Sequence, residues 1–183
     1  MSYFFILFFT IYVATRKDII YENITGVSTA PEYRILVIIY TLICAIYFAY
    51  QMNRHFHYLN RYPRYIPTLI FLAALFMSIG AFCPYSKDNS WLSSIHVYAS
   101  MTASLLFIII LQIYTHQLSI QCPAIYFQTH WLFHLGLQIL VVIFFVSGAI
   151  NGIIEILYVL FICFYLFSID RQMKKSKSHD LLN

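Results

Sequence analysis

Six stretches of this chain are almost wholly apolar: approximately 2–15, 34–51, 65–82, 93–114, 127–147 and 152–169. Apart from the shorter first one, they run for about 18–24 residues, enough at 1.5 Å rise per residue to cross roughly 30 Å of hydrocarbon. Polar or proline-containing stretches separate them at 16–33, 52–64, 83–92 and 115–126, and the last connection is the tight Ser147–Gly152 segment. Backbone groups in lipid must satisfy one another, which leaves helices or closed barrels. Barrel strands alternate apolar and polar at every second residue. These runs do not alternate, so the pattern predicts an all-α polytopic bundle of six transmembrane helices. Residues 1–170 form one domain and 171–183 a short basic tail.

Composition supports this reading. Hydrophobic residues make up 61% of the 183 and charged residues 10%, against about 25% charged in a soluble domain. The apolar start could be a cleaved signal peptide, but it lacks a basic leading region and a small-x-small site before Arg16. It is therefore read as a short span.

Orientation follows from Lys and Arg. The 52–64 loop carries Arg54, Arg61 and Arg64, and the tail carries Arg171, Lys174, Lys175 and Lys177. The alternate side carries Arg16, Lys17, Arg34 and Lys87, offset by Asp18, Glu22, Glu32 and Asp88. Both termini are thus expected in the cytoplasm, although Arg16 and Lys17, taken alone, would draw the end of the first span inward. The tail reads as a topology signal, or as a weak attractor of anionic lipid at roughly 1 kcal/mol per basic residue.

Tyr33, Tyr58, Tyr62, Trp91 and Trp131 fall at span ends, as an interfacial belt requires. Of four cysteines, only Cys83 would face an oxidising compartment, which argues against a disulfide framework; Cys44 and Cys163 lie within spans. Cys122, beside Pro123 at the cytoplasmic boundary, is either an unmodified thiol or a palmitoylation site. Asn23-Ile24-Thr25 is a glycosylation sequon on the non-cytoplasmic side, close to the bilayer.

Ionisable groups within spans are functional candidates by default. His96 lies about one turn inside the fourth span and Glu155 at similar depth in the sixth, so a His96–Glu155 contact is one expectation; separate access to interfacial water is the other. His130 and His134 share a helix face at i, i+4, a common way to present two nitrogens to a metal. Alkaline ceramidases and adiponectin receptors carry a similar His-x-x-x-His on their last helix, and the likeness is confined to that motif. His96 sits something like 10 Å or more from these two in depth at 1.5 Å per residue. A third ligand would come from His116, His55 or His57. Asp170 stands at the very end of the sixth span, too far out to activate water. Bis-histidine haem, with His116 and His130, lacks a four-helix two-haem pattern. No Ser-His-Asp spacing, phosphate loop or paired carboxylate is present, so no cofactor is expected.

Three segments in order carry a family likeness. The first outer loop reads Ile24-Thr25-Gly26-Val27-Ser28-Thr29-Ala30-Pro31-Glu32; the third span ends Gly80-Ala81-Phe82-Cys83-Pro84-Tyr85 and leads to Ile95-His96; the last span runs from Glu155 to Asp170 and a basic tail. This order resembles the six-span damage-regulated autophagy modulators (DRAM) and their GPI-anchor-remodelling relatives. Those proteins have a Ser-Asp-Thr-Gly-x-x-x-Pro-Glu-like loop, a His opening the fourth span, and a last helix from Glu-Trp to Asp-Phe. Thr25, Gly26, Pro31, Glu32, His96, Glu155 and Asp170 map onto the recurring positions. Ile156 and Arg171 depart from the pattern, and the last outer loop is nearly absent.

The resemblance implies a protein of the plasma membrane or an endomembrane that organises or regulates membrane lipids or a partner membrane protein, non-catalytic in the leading reading and enzymatic in the version that the lipid-remodelling branch implies. Glu32, His96 and Glu155 would gather at the outer mouth, as a lipid-headgroup site or as a structural cap. Two other classes stand beside it: a metal-dependent lipid hydrolase using His130, His134 and His116, and an accessory subunit of a larger complex. A homodimer is plausible for so small a bundle, and no nucleic-acid partner is expected.

Overall fold

The computed structural model describes residues 2–21, 23–59, 61–83, 90–148 and 150–180, with the side chains of Ser2, Ser90 and 176–180 left aside. Glu22, Pro84, Tyr85, Lys87, Asp88 and Ala149, which figure in the sequence reading, lie outside the described residues, as does the side chain of Lys177. Among the described residues all regular structure is helical: α1 (Ser2–Ala14), α2 (Ile24–Val27), α3 (Pro31–His57), α4 (Ile66–Phe82), α5 (Ser90–Gln121), α6 (Pro123–Ser147) and α7 (Gly152–Asp180). Every expected span is a helix, and one short helix lies in the first loop. Four helices are long and apolar enough to cross a membrane: Pro31–His57, Trp91–Gln121, Pro123–Ser147 and Gly152–Lys175. Tyr3–Ala14 and Ile66–Phe82 are apolar but shorter.

Local chemistry fixes the helix boundaries. Proline stands in the first turn of α3, α4 and α6, where its missing N–H would have had no intrahelical partner. Gly148 ends α6 at φ 65°, a left-handed conformation that lacks the Cβ penalty in glycine. Asn151 then accepts from the N–H of Ile154 at 3.1 Å and opens α7.

The long helices run alternately up and down and close into a ring. α1 packs on α3 and α7, and α3–α4, α4–α5, α5–α6 and α6–α7 pack in sequence. α5 also reaches across the interior. Phe48 meets Phe107 with ring centroids 5.4 Å apart, Phe56 meets Tyr114 at 5.2 Å, and Tyr165 donates to Thr115 at 2.6 Å. Buried tyrosines recur as interior glue because each ring adds apolar area and each hydroxyl finds an acceptor. Tyr40 bonds Thr10 at 3.0 Å, and Tyr158 donates to the Ser104 carbonyl at 3.1 Å.

The exterior is the reverse of a soluble protein's. Phe8, Ile35, Ile46, Phe71, Phe145 and Val146 are all more than 50% exposed. A large continuous apolar surface of this kind marks a membrane or protein interface.

Candidate functional site

Polar chemistry collects at the two ends of the bundle. At one end, called the tail end, α1 begins, α3 and α5 finish, and α7 runs out into its basic segment. Four helices converge there on Asp170. Tyr3 donates to Asp170 Oδ2 at 2.8 Å, and the Arg54 guanidinium forms an ion pair with the same oxygen. Arg54 also reaches the Tyr3 hydroxyl at 3.2 Å. His55 is fully buried, with Nε2 3.5 Å from Asp170 Oδ1 and Nδ1 3.4 Å from the Tyr114 hydroxyl. Gln51 completes the group 3.4 Å from Tyr3. Arg54 Nε is buried without a partner. In a low-dielectric interior, a carboxylate and a guanidinium are retained only when paired and hydrogen-bonded. The network meets that condition by recruiting groups 48 to 167 residues away from Tyr3.

Beside it, Gln121 at the end of α5 accepts from the Arg61 N–H at 3.2 Å and donates to the Arg61 carbonyl at 2.5 Å. The 52–64 loop is thereby tied to α5. Cys122 follows, half-buried at the α5–α6 corner, and burial pushes its thiol pKa up.

At the other end, the cap end, polar side chains meet backbone groups instead. His96 is buried, and its Nδ1–H donates to the carbonyls of Gly80 and Cys83, both at 2.7 Å. These carbonyls sit at the finish of α4, where helix geometry leaves acceptors without intrahelical donors. His96 of α5 thus caps α4 in trans. Glu155 does the converse: its carboxylate accepts from the Ile24 N–H at 2.5 Å, one of the spare donors opening α2. The Ile153 N–H donates to the Ile19 carbonyl at 3.3 Å, so the first loop is held to the start of α7 at two points. Within that loop Lys17 donates to the Gly26 carbonyl at 2.9 Å and to Thr29 at 2.7 Å. The sequon asparagine, Asn23, accepts from Gly26 N–H at 2.6 Å and from the Thr25 hydroxyl at 2.7 Å, capping α2.

His96 and Glu155 therefore do not pair with each other. Each serves its own corner, and Glu32 is exposed on the first turn of α3. The family-like segment Thr25 to Glu32 forms α2 and its exit into α3, with Pro31 at the start of α3. Asp170, placed at the very end of a span by the sequence, lies within a longer helix and at the centre of the tail-end network.

The remaining histidines stay apart from both ends' main ties. His130 stacks on Tyr126 with centroids 4.8 Å apart, and its Nδ1–H donates to the Tyr126 carbonyl at 3.0 Å. His134 is exposed, with its ring 6.3 Å from that of His130. His116 is exposed on α5, and His57 donates to the Asn53 carbonyl at 2.7 Å. Among the described residues, no three His, Cys, Asp or Glu side chains come together as a metal-binding group.

Open space lies on the apolar exterior. A groove of about 390 Å³ runs between α6 and α7, lined by residues including Leu135, Gly136, Ile139, Leu160 and Phe164. A smaller one of about 40 Å³ lies between α1 and α7. At Gly136 the Phe161 ring packs directly on α6, since a Cβ there would stand 2.2 Å from that ring.

No protein-family model, curated protein or solved structure matches the chain.

Proposed function

We propose that this chain is a six-span, non-catalytic membrane protein with both termini in the cytoplasm, and that it organises or regulates membrane lipids. The observation that carries this reading is where polar groups and open space sit. Several interior polar groups are occupied within the protein: Asp170 with Arg54 and Tyr3, Tyr165 with Thr115, and His96 with the carbonyls of Gly80 and Cys83. Both grooves open on the outside of the bundle and are walled by aliphatic and aromatic side chains. A molecule that meets this surface is a lipid or another apolar chain.

The two shorter helices fit the same picture, since α1 and α4 pack between full-length neighbours that set the bilayer thickness around them. Arg61, Arg64, Arg171, Lys174 and Lys175 favour the tail end as cytoplasmic. The DRAM-like order of segments agrees with this reading through the Pro31-Glu32 helix start and the positions of His96, Glu155 and Asp170.

The test is purification of the full chain in mild detergent, with mass spectrometry of the intact assembly and metal analysis on one sample. Retained phospholipid without stoichiometric metal is expected. Stoichiometric zinc would overturn the reading in favour of a hydrolase using His130 and His134. A protein partner in fixed ratio, without lipid, would replace it with the accessory-subunit reading.

A further inference from the structure

The α6–α7 groove has a chemical character and a continuation that together specify an occupant. Its floor is Gly136 against Phe161, and its walls include Ile139 and Leu160. The one hydroxyl along it, that of Tyr165, is committed to Thr115 at 2.6 Å. No wall group is left to recognise a polar ligand, so the interior of the groove suits hydrocarbon.

Size and composition separate the two kinds of hydrocarbon partner. A transmembrane helix with its side chains is about 10–12 Å across and docks most closely on stripes of small residues. This groove offers one glycine, already covered by Phe161, between rims of Leu, Ile and Phe. A flexible acyl chain fits where a helix does not.

The headgroup end follows from α7, a continuous helix to Asp180. Leu157, Leu160, Phe164, Ser168, Arg171 and Lys175 recur at steps of three and four and share one face. The groove stripe therefore runs directly into two exposed cations that form no ion pair among the described residues. Arg171 lies about 10 Å along the axis from Phe164 at 1.5 Å per residue. That offset brings a phosphate outside the hydrocarbon while its chain lies against Phe164 and Leu160.

We propose that the α6–α7 groove is a binding site for one anionic phospholipid, with an acyl chain between Gly136 and Leu160 and the phosphate held by Arg171 and Lys175. The inference deepens the lipid-organising reading above and rests on it. It goes further by naming the site, the headgroup charge and the residues that select it.

The experiment uses the full chain in mild detergent, titrated with phosphatidylglycerol or phosphatidylcholine of identical acyl chains and read by mass spectrometry of intact complexes. Tighter binding of phosphatidylglycerol is expected. Arg171→Gln and Lys175→Gln should each lower that preference by about fivefold, the size of one headgroup attraction, and weaken phosphatidylcholine, whose choline offsets the phosphate charge, by less. Both positions are exposed, so these variants keep the fold. Ile139→Trp, which fills the groove from a half-exposed wall position, should weaken both lipids. Phe71→Trp, on the exposed face of α4, should weaken neither. Equal binding of the two lipids, or a preference untouched by both Gln variants, overturns the site while leaving the lipid-organising reading intact. No retained lipid of either kind overturns both.

Discussion

Around Asp170 at the tail end, ties run between side chains of helices distant in sequence; at the cap end, His96 and Glu155 each tie a side chain to a backbone group of another element. Asp170, Arg54, Tyr3 and His55 form the first kind. His96 on Gly80 and Cys83, and Glu155 on Ile24, form the second. The difference sets what each end tolerates. In a side-chain network, donor and acceptor can trade places, because both partners are encoded by residues. A peptide carbonyl or N–H cannot be exchanged, so His96 must remain a donor and Glu155 an acceptor.

The largest effect should follow from Asp170→Ala. It strips Tyr3 and Arg54 of their shared acceptor and leaves a guanidinium whose Nε already lacks a partner. Breaking a fully buried pair costs about 3–5 kcal/mol. Side-chain exposures of 31% for Arg54 and 18% for Asp170 reduce the expectation to about 2–3 kcal/mol. Thermal unfolding in detergent measures it, and the exchange Arg54→Asp with Asp170→Arg should recover part of the loss. Unchanged stability in the single variant would remove the network from the account of the fold.

Next comes His96→Leu, which keeps bulk but removes the donor facing two carbonyls. A loss of about 1–3 kcal/mol is expected, the penalty of leaving buried acceptors unmade. Faster amide exchange at the end of α4 should accompany it. Glu155 sharpens the comparison further. Glu155→Gln keeps an acceptor oxygen for Ile24 and should stay within about 0.5 kcal/mol, whereas Glu155→Ala should cost about 1 kcal/mol. Hydrogen exchange at Ile24 distinguishes them, and equal protection in both would show that the loop is held by other contacts. The smallest effect concerns Cys122. Its raised pKa keeps the thiol protonated at neutral pH, and the thiolate is the nucleophile. Maleimide labelling should therefore be slow at pH 7 and rise at more alkaline pH than for an unperturbed cysteine. A rate profile matching free cysteine would contradict the burial of the corner.

Hydropathy located the helices because it reports directly what lipid tolerates. It located their ends less well. α5 continues from the expected 114 to Gln121, and α7 from 169 to Asp180. Beyond the apolar run, residues such as Gln117 and Lys174 leave the hydrocarbon but keep good helix propensity. The short helix α2 was hidden in a polar loop, its one local signal being Asn23 as a cap.

The tail-end network was harder to see. Arg54 registered as a topology charge, Tyr3 as part of an apolar run, and Asp170 as a terminal residue. Each description is local, while the network depends on α1 and α7 being neighbours. At the cap end, depth alone brought His96 and Glu155 to one level and suggested a pair. Depth says nothing about azimuth around the bundle, and the unsatisfied helix ends of α4 and α2 lay nearer to each side chain than the other side chain did.

The bond between Tyr3 and Asp170 spans 167 residues and joins a residue of α1 to one synthesised long after it. While the ribosome is still at work, Tyr3 and the Arg54 guanidinium have been made but their common acceptor has not. The nascent chain must carry an unneutralised cation near the membrane interface until α7 is delivered. Delivery of α7 is then the event that settles α1, and a chain interrupted before α7 would display a bare arginine.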